Sequence, residues 1–233
     1  MSVTTVTSTD SPTQARRAAL DRLAGAGGLV FAATLVADNL IRASAPGFDA
    51  APAQVSAYFL DHRVAALVPL GLFPAGLLAF FPFAAGVWAR ARQEDSRWWA
   101  SVGVLGAAAI TALFAIVNIT EIVLTAKAAQ LASSPAVVQA LWTLRAAAFG
   151  LDMAAIAVAL IGLSRAAAAM RLIPAWLALT AWPAAACLLT AATFTVALAD
   201  GGPWLAVALP GFIVWVVFVI TASVSLLRAR QIP

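Results

Sequence analysis

The sequence has little charge and almost none of the residues that bind metals or form disulfides. Only 10% of its 233 residues are charged, and 63% are hydrophobic, a balance far outside that of soluble domains. The one cysteine, Cys187, excludes an intrachain disulfide and a CxxC redox pair. With His62 as the one histidine, the chain offers no zinc or haem ligand set. We therefore expect no metal and no cofactor.

Long apolar runs are what the sequence has in abundance. Its mean hydropathy is +0.95, and several stretches reach the roughly 20 apolar residues that a spanning helix needs. Runs such as VPLGLFPAGLLAFFPFAAGVW lack the alternating polarity of barrel strands. The sequence therefore predicts an all-α polytopic membrane bundle of six transmembrane helices, at residues 24–43, 64–88, 99–124, 139–163, 173–198 and 204–226.

The basic residues stand at the ends of the apolar segments. A sequence pI of about 10.6 is typical of nucleic-acid binding, but arginines scattered at helix ends fit membrane topology better, so we expect no nucleic acid as a partner. By the positive-inside rule, the four arginine-rich regions are cytoplasmic. Both termini are therefore predicted to be cytoplasmic and the 44–63 loop external. The arginines that set this orientation are Arg16, Arg17, Arg22, Arg90, Arg92, Arg97, Arg165, Arg171, Arg228 and Arg230.

No stretch outside the apolar segments is long enough to form a soluble domain. Residues 1–22 are Ser/Thr-rich and predict a disordered cytoplasmic tail, residues 23–228 a single membrane domain, and residues 229–233 a second cytoplasmic tail. In the external loop, AQVSAYFL predicts a short helix at the membrane surface. The twin arginine, first apolar run and ASA at 43–45 resemble a cleaved export signal, but Asp38 and Arg42 interrupt it. We expect the first helix to be retained.

Two charged residues in the fourth apolar segment need an explanation. The stretch LRAAAFGLDMAAIAVALIGL, residues 144–163, holds Arg145 and Asp152 among apolar and small residues, and charges within spans are rare and usually functional. Seven residues of helix separate the two by about 10 Å, which excludes a direct salt bridge. Each must find its partner on another helix or in water. Asp152 is also the acid nearest the predicted centre of the membrane.

The other polar residues of the spans gather on the side predicted to be external. Asp38 can pair with Arg42, four residues on, or with Arg145, and Glu121 can pair with Arg145 or Lys127. One reading makes these residues structural clamps between helices. The other places them in an outward-facing polar pocket among the first four helices, with the central acid at its floor. The candidate catalytic residues are Asp152 and Glu121, and the candidate binding residues are Asp38, Asn39, Arg42, Asn118, Trp142, Arg145 and Phe149.

Two stretches resemble a bacterial multi-pass membrane family, domain of unknown function 4386. They are RLAGAGGLVFAATLVADNL in the first apolar segment and IGLSRAAAAMRLIPAWLALT across the fourth and fifth. In that family a short basic loop is followed by a proline at the start of the next helix, as at Arg171 and Pro174. The resemblance implies a small helical membrane fold in the cell membrane of a bacterium. It supplies no activity.

A second, fainter likeness is to the small integral-membrane terpene cyclases. The stretch NITEIV at 118–123 is similar to part of one helix in that group, with a spacing between Asn118 and Glu121 that differs by one residue. Those enzymes use acids within the membrane to protonate an isoprenoid. The likeness implies Glu121 as a catalytic acid and Asp152 as the second.

Three hypotheses for function follow. The leading one is a membrane-embedded enzyme or binding protein for an apolar, isoprenoid-like molecule, with Asp152 or Glu121 as proton donor and Trp142 and Phe149 lining the cavity. The second is a small proton- or cation-coupled transporter or channel, which implies a homo-oligomer because six helices make a narrow pathway. The third is a non-catalytic membrane partner subunit. The lipid bilayer is a partner in all three.

Overall fold

The computed structural model describes residues 12–228, and helices account for 88% of them. This part of the chain contains no strand. The structure is therefore all-α, as the composition predicts. The helices are α1 (Pro12–Arg42), α2 (Pro52–Asp61), α3 (Arg63–Arg90), α4 (Glu94–Leu131), α5 (Pro135–Ala169), α6 (Ala175–Thr193), α7 (Thr195–Ala199) and α8 (Trp204–Arg228).

Six of these helices are long and apolar enough to cross a membrane, namely α1, α3, α4, α5, α6 and α8. They correspond to the six predicted segments, which confirms the prediction of six helices long and apolar enough to span a membrane. The short helix predicted from AQVSAYFL is also confirmed, as α2. The disordered tail predicted for residues 1–22 is wrong for residues 12–22, because α1 begins at Pro12. The rest of that tail and the predicted tail at 229–233 lie outside the described residues.

Small residues let the backbones of α4 and α5 approach each other closely. A Cβ built on Gly106 would lie 2.5 Å from the backbone nitrogen of Ala159, and one built on Gly162 would meet the backbone of Gly103. Lipid tails are as apolar as the side chains of a spanning helix, so the hydrophobic effect does not drive such helices together. Close packing of their backbones stabilises the association instead. α5 is the most buried of the spanning helices, and it packs against α3, α4, α6 and α8.

The ends of the helices that carry most of the arginines lie together. Arg90 at the end of α3 forms a two-bond ion pair with Asp21 of α1, with N to O distances of 2.7 and 2.5 Å. The GAGG run of α1, residues 25–28, packs here, with Gly25 against the backbone oxygen of Ser223 on α8 and Gly27 against that of Ala79 on α3. We call this the basic end, formed by the starts of α1, α4 and α6 and the ends of α3, α5 and α8.

The opposite end of the bundle is covered by α2. Its two buried residues, Val55 and Phe59, belong to a small apolar cluster with Leu124 of α4 and with Val138 and Trp142 of α5. Phe59 meets the edge of the Trp142 ring at a centroid distance of 6.1 Å. We call this the α2 end. It holds the charged groups described next.

Candidate functional site

Arg42, the last residue of α1, is the centre of a buried charge cluster. Its Nε donates to Asp38 Oδ2 at 2.9 Å, and its Nη2 donates to Asn118 Oδ1 at 3.3 Å. Its Nη1 forms an ion pair with Glu121 Oε2. We call Asp38, Arg42, Asn118, Glu121 and Arg145 the charge cluster. The ion pair predicted from the four-residue spacing of Asp38 and Arg42 is confirmed.

Glu121 joins α4 to both α1 and α5. Its second oxygen, Oε1, accepts a hydrogen bond from Arg145 Nε at 2.6 Å. This confirms the prediction that Arg145 pairs with a carboxylate from another helix. Both oxygens of Glu121 are therefore engaged by guanidinium groups. Two carboxylates face two arginines in the cluster, so these four charges balance, as buried charges require.

Aromatic rings complete the surroundings of the two guanidinium groups. The Cζ of Arg145 lies 4.5 Å from the centroid of Trp142 and 5.4 Å from that of Phe48. The Cζ of Arg42 lies 5.3 Å from the centroid of Phe114. Trp142 is completely buried, and its ring N–H donates to the backbone oxygen of Gly47 at 3.0 Å. Cation–π contacts strengthen when they are removed from water, so this packing holds the charge cluster rigidly in place.

A cavity of about 370 Å³ lies beside the charge cluster and extends into the bundle. Its wall is mainly apolar and comes from α1, α3, α4, α5, α6 and α8. Phe31 stacks on Phe80 at a centroid distance of 4.1 Å, and Trp215 meets Phe80 edge-on at 6.0 Å. The aromatic residues that line the cavity are Phe31, Phe73, Phe80, Phe114, Phe149, Phe212 and Trp215.

The most exposed residues of the cavity wall belong to α1 and α8, and we call the side between these two helices the mouth of the cavity. These helices are antiparallel and in close contact at the basic end, through Gly25 and Ser223. Toward the α2 end, exposed apolar residues of both helices line the cavity, including Leu40 on α1 at 71% exposure and Leu209 on α8 at 54%. Exposed leucines on spanning helices face lipid. The open side of the cavity therefore lies on the flank of the bundle, between two helices that are long and apolar enough to span a membrane.

Two acids line this cavity. Asp152 stands at the midpoint of α5, 17 residues from Pro135 and 17 from Ala169, which is about 26 Å of helix on either side. Only 5% of it is exposed, and its Oδ1 has no hydrogen-bond partner. Within residues 12–228, no salt bridge involves Asp152. The expectation that Arg145 does not pair with it is confirmed.

Asp38 is the second acid of the cavity wall. It is also 5% exposed. Its Oδ2 belongs to the ion pair with Arg42, whereas its Oδ1 has no hydrogen-bond partner. Asp38 thus belongs to both the charge cluster and the cavity. The cavity presents two carboxyl groups, each with a buried oxygen that lacks a donor.

The predicted site residues divide between these two neighbouring features. Four of them line the cavity: Asp38, Asn39, Phe149 and Asp152. The other five lie outside its wall: Arg42, Asn118, Glu121, Trp142 and Arg145. Trp142 supports Arg145 instead of lining the cavity. The polar pocket expected among the first four helices is instead a mainly apolar cavity to which α6 and α8 also contribute, because most of the charges pair with one another beside it.

Several residues that shape the site were not predicted from the sequence. Phe48, in the loop before α2, contacts Phe149 at a centroid distance of 5.7 Å and also lies under Arg145, so it links the cavity to the charge cluster. Trp215 and Phe212 of α8 reach the cavity from the far end of the chain. When a helix is apolar on all sides, its sequence does not show whether an aromatic residue faces the interior of the bundle or its outer surface.

Comparisons of the chain with protein families, with curated proteins and with solved structures find no significant match. In the part of the chain that the structure describes, no three His, Cys, Asp or Glu side chains come together as metal ligands would. Within the described residues, the groups of the cavity wall that can take part in acid–base chemistry are its two acids, Asp38 and Asp152.

Proposed function

We propose that this protein binds an apolar, isoprenoid-like molecule in the cavity and delivers a proton to it from Asp152. One observation carries the proposal: Asp152 is a buried carboxyl group without an ion-pair partner in the wall of an apolar cavity. The volume, about 370 Å³, falls in the range of ligand pockets, which are mostly apolar with a few polar groups that fix orientation. The sideways mouth gives a bilayer-dissolved molecule direct access.

Asp152 is suited to be the proton donor because of what surrounds it. An isolated ionised carboxylate away from water is very costly, so a carboxyl group without a counter-ion acts in its neutral, protonated form. Transfer of its proton to a carbon–carbon double bond would leave a cation in the ligand. The rings that line the cavity would stabilise such a cation through their faces, with Phe149 one helical turn from Asp152.

Glu121 has a different role in this proposal. Its two oxygens are occupied by Arg42 and Arg145, so it balances their charge and fixes the helices. The likeness of NITEIV to the membrane terpene cyclases supports the class of ligand and the acid chemistry, while the donor assigned here is Asp152 alone.

We also propose that the protein lies in the cell membrane of a bacterium with both termini in the cytoplasm. The arginines of the basic end support this orientation, since basic residues favour the cytoplasmic side. The α2 end would then be external, and the cavity mouth would open in the outer half of the bilayer. The likeness to the multi-pass family of unknown function supports the bacterial assignment.

Deuterium transfer from heavy water tests the proposal. The protein in lipid nanodiscs is incubated in D2O with farnesol, and deuterium incorporated at carbon is measured by mass spectrometry. We expect incorporation with the wild-type chain, none with Asp152→Asn, and none with Ala208→Phe, which fills the cavity without altering an acid. Glu121→Gln is the matched acid control and should retain incorporation in the fraction that folds.

Two results would overturn the proposed function. One is equal incorporation by wild type and Asp152→Asn. The other is a wild-type protein that transfers no deuterium to farnesol, whether or not it binds it. Farnesol uptake into sealed vesicles that depends on Asp152, without incorporation at carbon, would replace the proposal with the transporter hypothesis.

A further inference from the structure

The acids of the cavity wall have no basic counterpart in it. Among residues 12–228, the charged residues that line the cavity are Asp38 and Asp152, and no Lys, Arg or His lines it. The guanidinium group of Arg42, which pairs with Asp38 of the wall, is also engaged with Asn118 and Glu121. The polar chemistry of the wall is therefore acceptor-rich. A ligand with an acidic head group would place its charge beside these acids.

We propose that the cavity is a binding site for lipophilic amines, with the nitrogen near the Asp152 carboxyl group and the apolar tail along the aromatic wall. The inference uses the same cavity as the proposed function but does not require proton transfer to carbon. A neutral amine enters from the bilayer through the mouth between α1 and α8. The Asp152 carboxyl group then gives up its proton to the nitrogen, and an ammonium–carboxylate ion pair remains.

Three features of the wall favour a cation over other head groups. The Oδ1 atoms of Asp152 and Asp38 both lack hydrogen-bond donors, and an ammonium N–H can supply one. Aromatic faces attract cations at short range, most strongly where water is absent. Finally, an unpaired buried carboxyl group is costly to retain, and an ammonium group gives Asp152 the partner that the protein itself does not provide.

Asp38 has a supporting role in this arrangement. Its Oδ2 pairs with Arg42, so if it neutralised a ligand cation, Glu121 would be the one carboxylate left for the two arginines of the charge cluster. Its free Oδ1 can still accept a hydrogen bond from the ligand. Asp152 is the acid that carries the ion pair, and it is the residue on which amine selectivity depends.

The experiment compares ligands that have apolar tails of nine or ten carbons and different head groups. The three probes are N,N-dimethyldecylamine, its carbon isostere 2-methyldodecane, and decanoate. Each is titrated against the protein in phosphatidylcholine nanodiscs, with empty nanodiscs subtracted, and binding is followed by displacement of a fluorescent apolar probe. Neutral lipid is used so that the membrane surface does not itself concentrate the amine.

We expect wild type to bind the amine at least about tenfold more tightly than the isostere, and to bind decanoate least. Asp152→Asn should abolish this preference and leave the affinity for the isostere unchanged, because it removes the ion pair but not the apolar wall. Asp21→Asn, which alters a carboxylate at the basic end away from the cavity, should retain the preference.

Equal binding of amine and isostere by the wild-type protein would overturn the inference without any variant. A preference for the amine that survives in Asp152→Asn would overturn it as well. These outcomes are separate from those of the deuterium experiment. Amine selectivity without deuterium incorporation would support the amine site and contradict the proposed function. Deuterium incorporation without amine selectivity would support the proposed function and contradict the amine site.

Discussion

Arg145 and Glu121 lie 24 residues apart in the chain and meet through a 2.6 Å hydrogen bond from Nε to Oε1. The bond joins α5 to α4, and the second oxygen of Glu121 continues the link to Arg42 on α1. Three helices are thus fixed in register by one carboxylate. The apolar surfaces of these helices could pack in other registers, so the charges specify which one is adopted.

The first prediction is that Glu121→Gln strongly destabilises the bundle. The amide leaves two buried guanidinium groups with one carboxylate between them. Removal of one partner of a buried ion pair costs about 3–5 kcal/mol in soluble proteins, and we expect a clear fall in the thermal midpoint in detergent. Circular dichroism at increasing temperature measures it.

The Asp21–Arg90 pair at the basic end provides the matched control for this prediction. Its side chains are more exposed than those of the Arg145–Glu121 pair, so solvent compensates for part of the loss. Asp21→Asn should therefore lower the midpoint less than Glu121→Gln does. Equal falls in the two midpoints would mean that Glu121 contributes no more to the stability of the bundle than Asp21 does.

The second prediction is that Asp152→Asn leaves stability unchanged or raises it. This carboxyl group takes part in no salt bridge within the described residues, and the amide has nearly the same shape without a group that can be ionised. The change therefore removes no stabilising contact. Thermal unfolding of this variant beside Glu121→Gln checks it. A large drop would reveal a structural role that the geometry does not indicate.

The helices and the charge cluster could be predicted from the sequence because the relevant patterns are local or scarce. Apolar runs mark the six spans, and arginines mark their ends. The spans contain few acidic residues, so the possible ion-pair partners of Arg145 were few. Two were predicted from the sequence, Asp38 and Glu121, and the structure shows Glu121. The start of α1 was missed because its first turns are polar and give no hydropathy signal.

The cavity could not be predicted in the same way. Its wall depends on which faces of α6 and α8 turn inward, and helices that are apolar all round carry no such information. Trp142 illustrates the problem. It lies one turn from Arg145 and was predicted to line the cavity, but its ring packs on the guanidinium group of Arg145 instead. Phe48 joins the site through a loop, where tertiary contacts alone determine the position.

The third prediction concerns the close contact between α4 and α5. Gly106→Ala should destabilise the protein by about 1–3 kcal/mol, the usual cost of overpacking, because the new methyl group meets the backbone of Ala159. Gly71→Ala is the control, since a Cβ there has no atom within 4 Å. Thermal midpoints of the two variants in the same detergent make the comparison. A tolerated Gly106→Ala would show that the helix pair can separate without loss.

The fourth prediction is the orientation of the bundle, and it uses two single-cysteine variants. Cys187→Ala first removes the native thiol. Ser44→Cys then places a thiol in the exposed loop before α2, and Gln93→Cys places one in the exposed loop between α3 and α4 at the basic end. A membrane-impermeant maleimide should label Ser44→Cys on intact cells, and should label Gln93→Cys only after the membrane is permeabilised.

The reason for this expected labelling is the distribution of charge, since nine arginines of the described residues belong to the basic end and basic residues are retained on the cytoplasmic side. They are Arg16, Arg17, Arg22, Arg90, Arg92, Arg97, Arg165, Arg171 and Arg228. The reverse labelling pattern would invert the proposed topology and move the cavity mouth to the inner half of the bilayer, while leaving the packing of the helices as described.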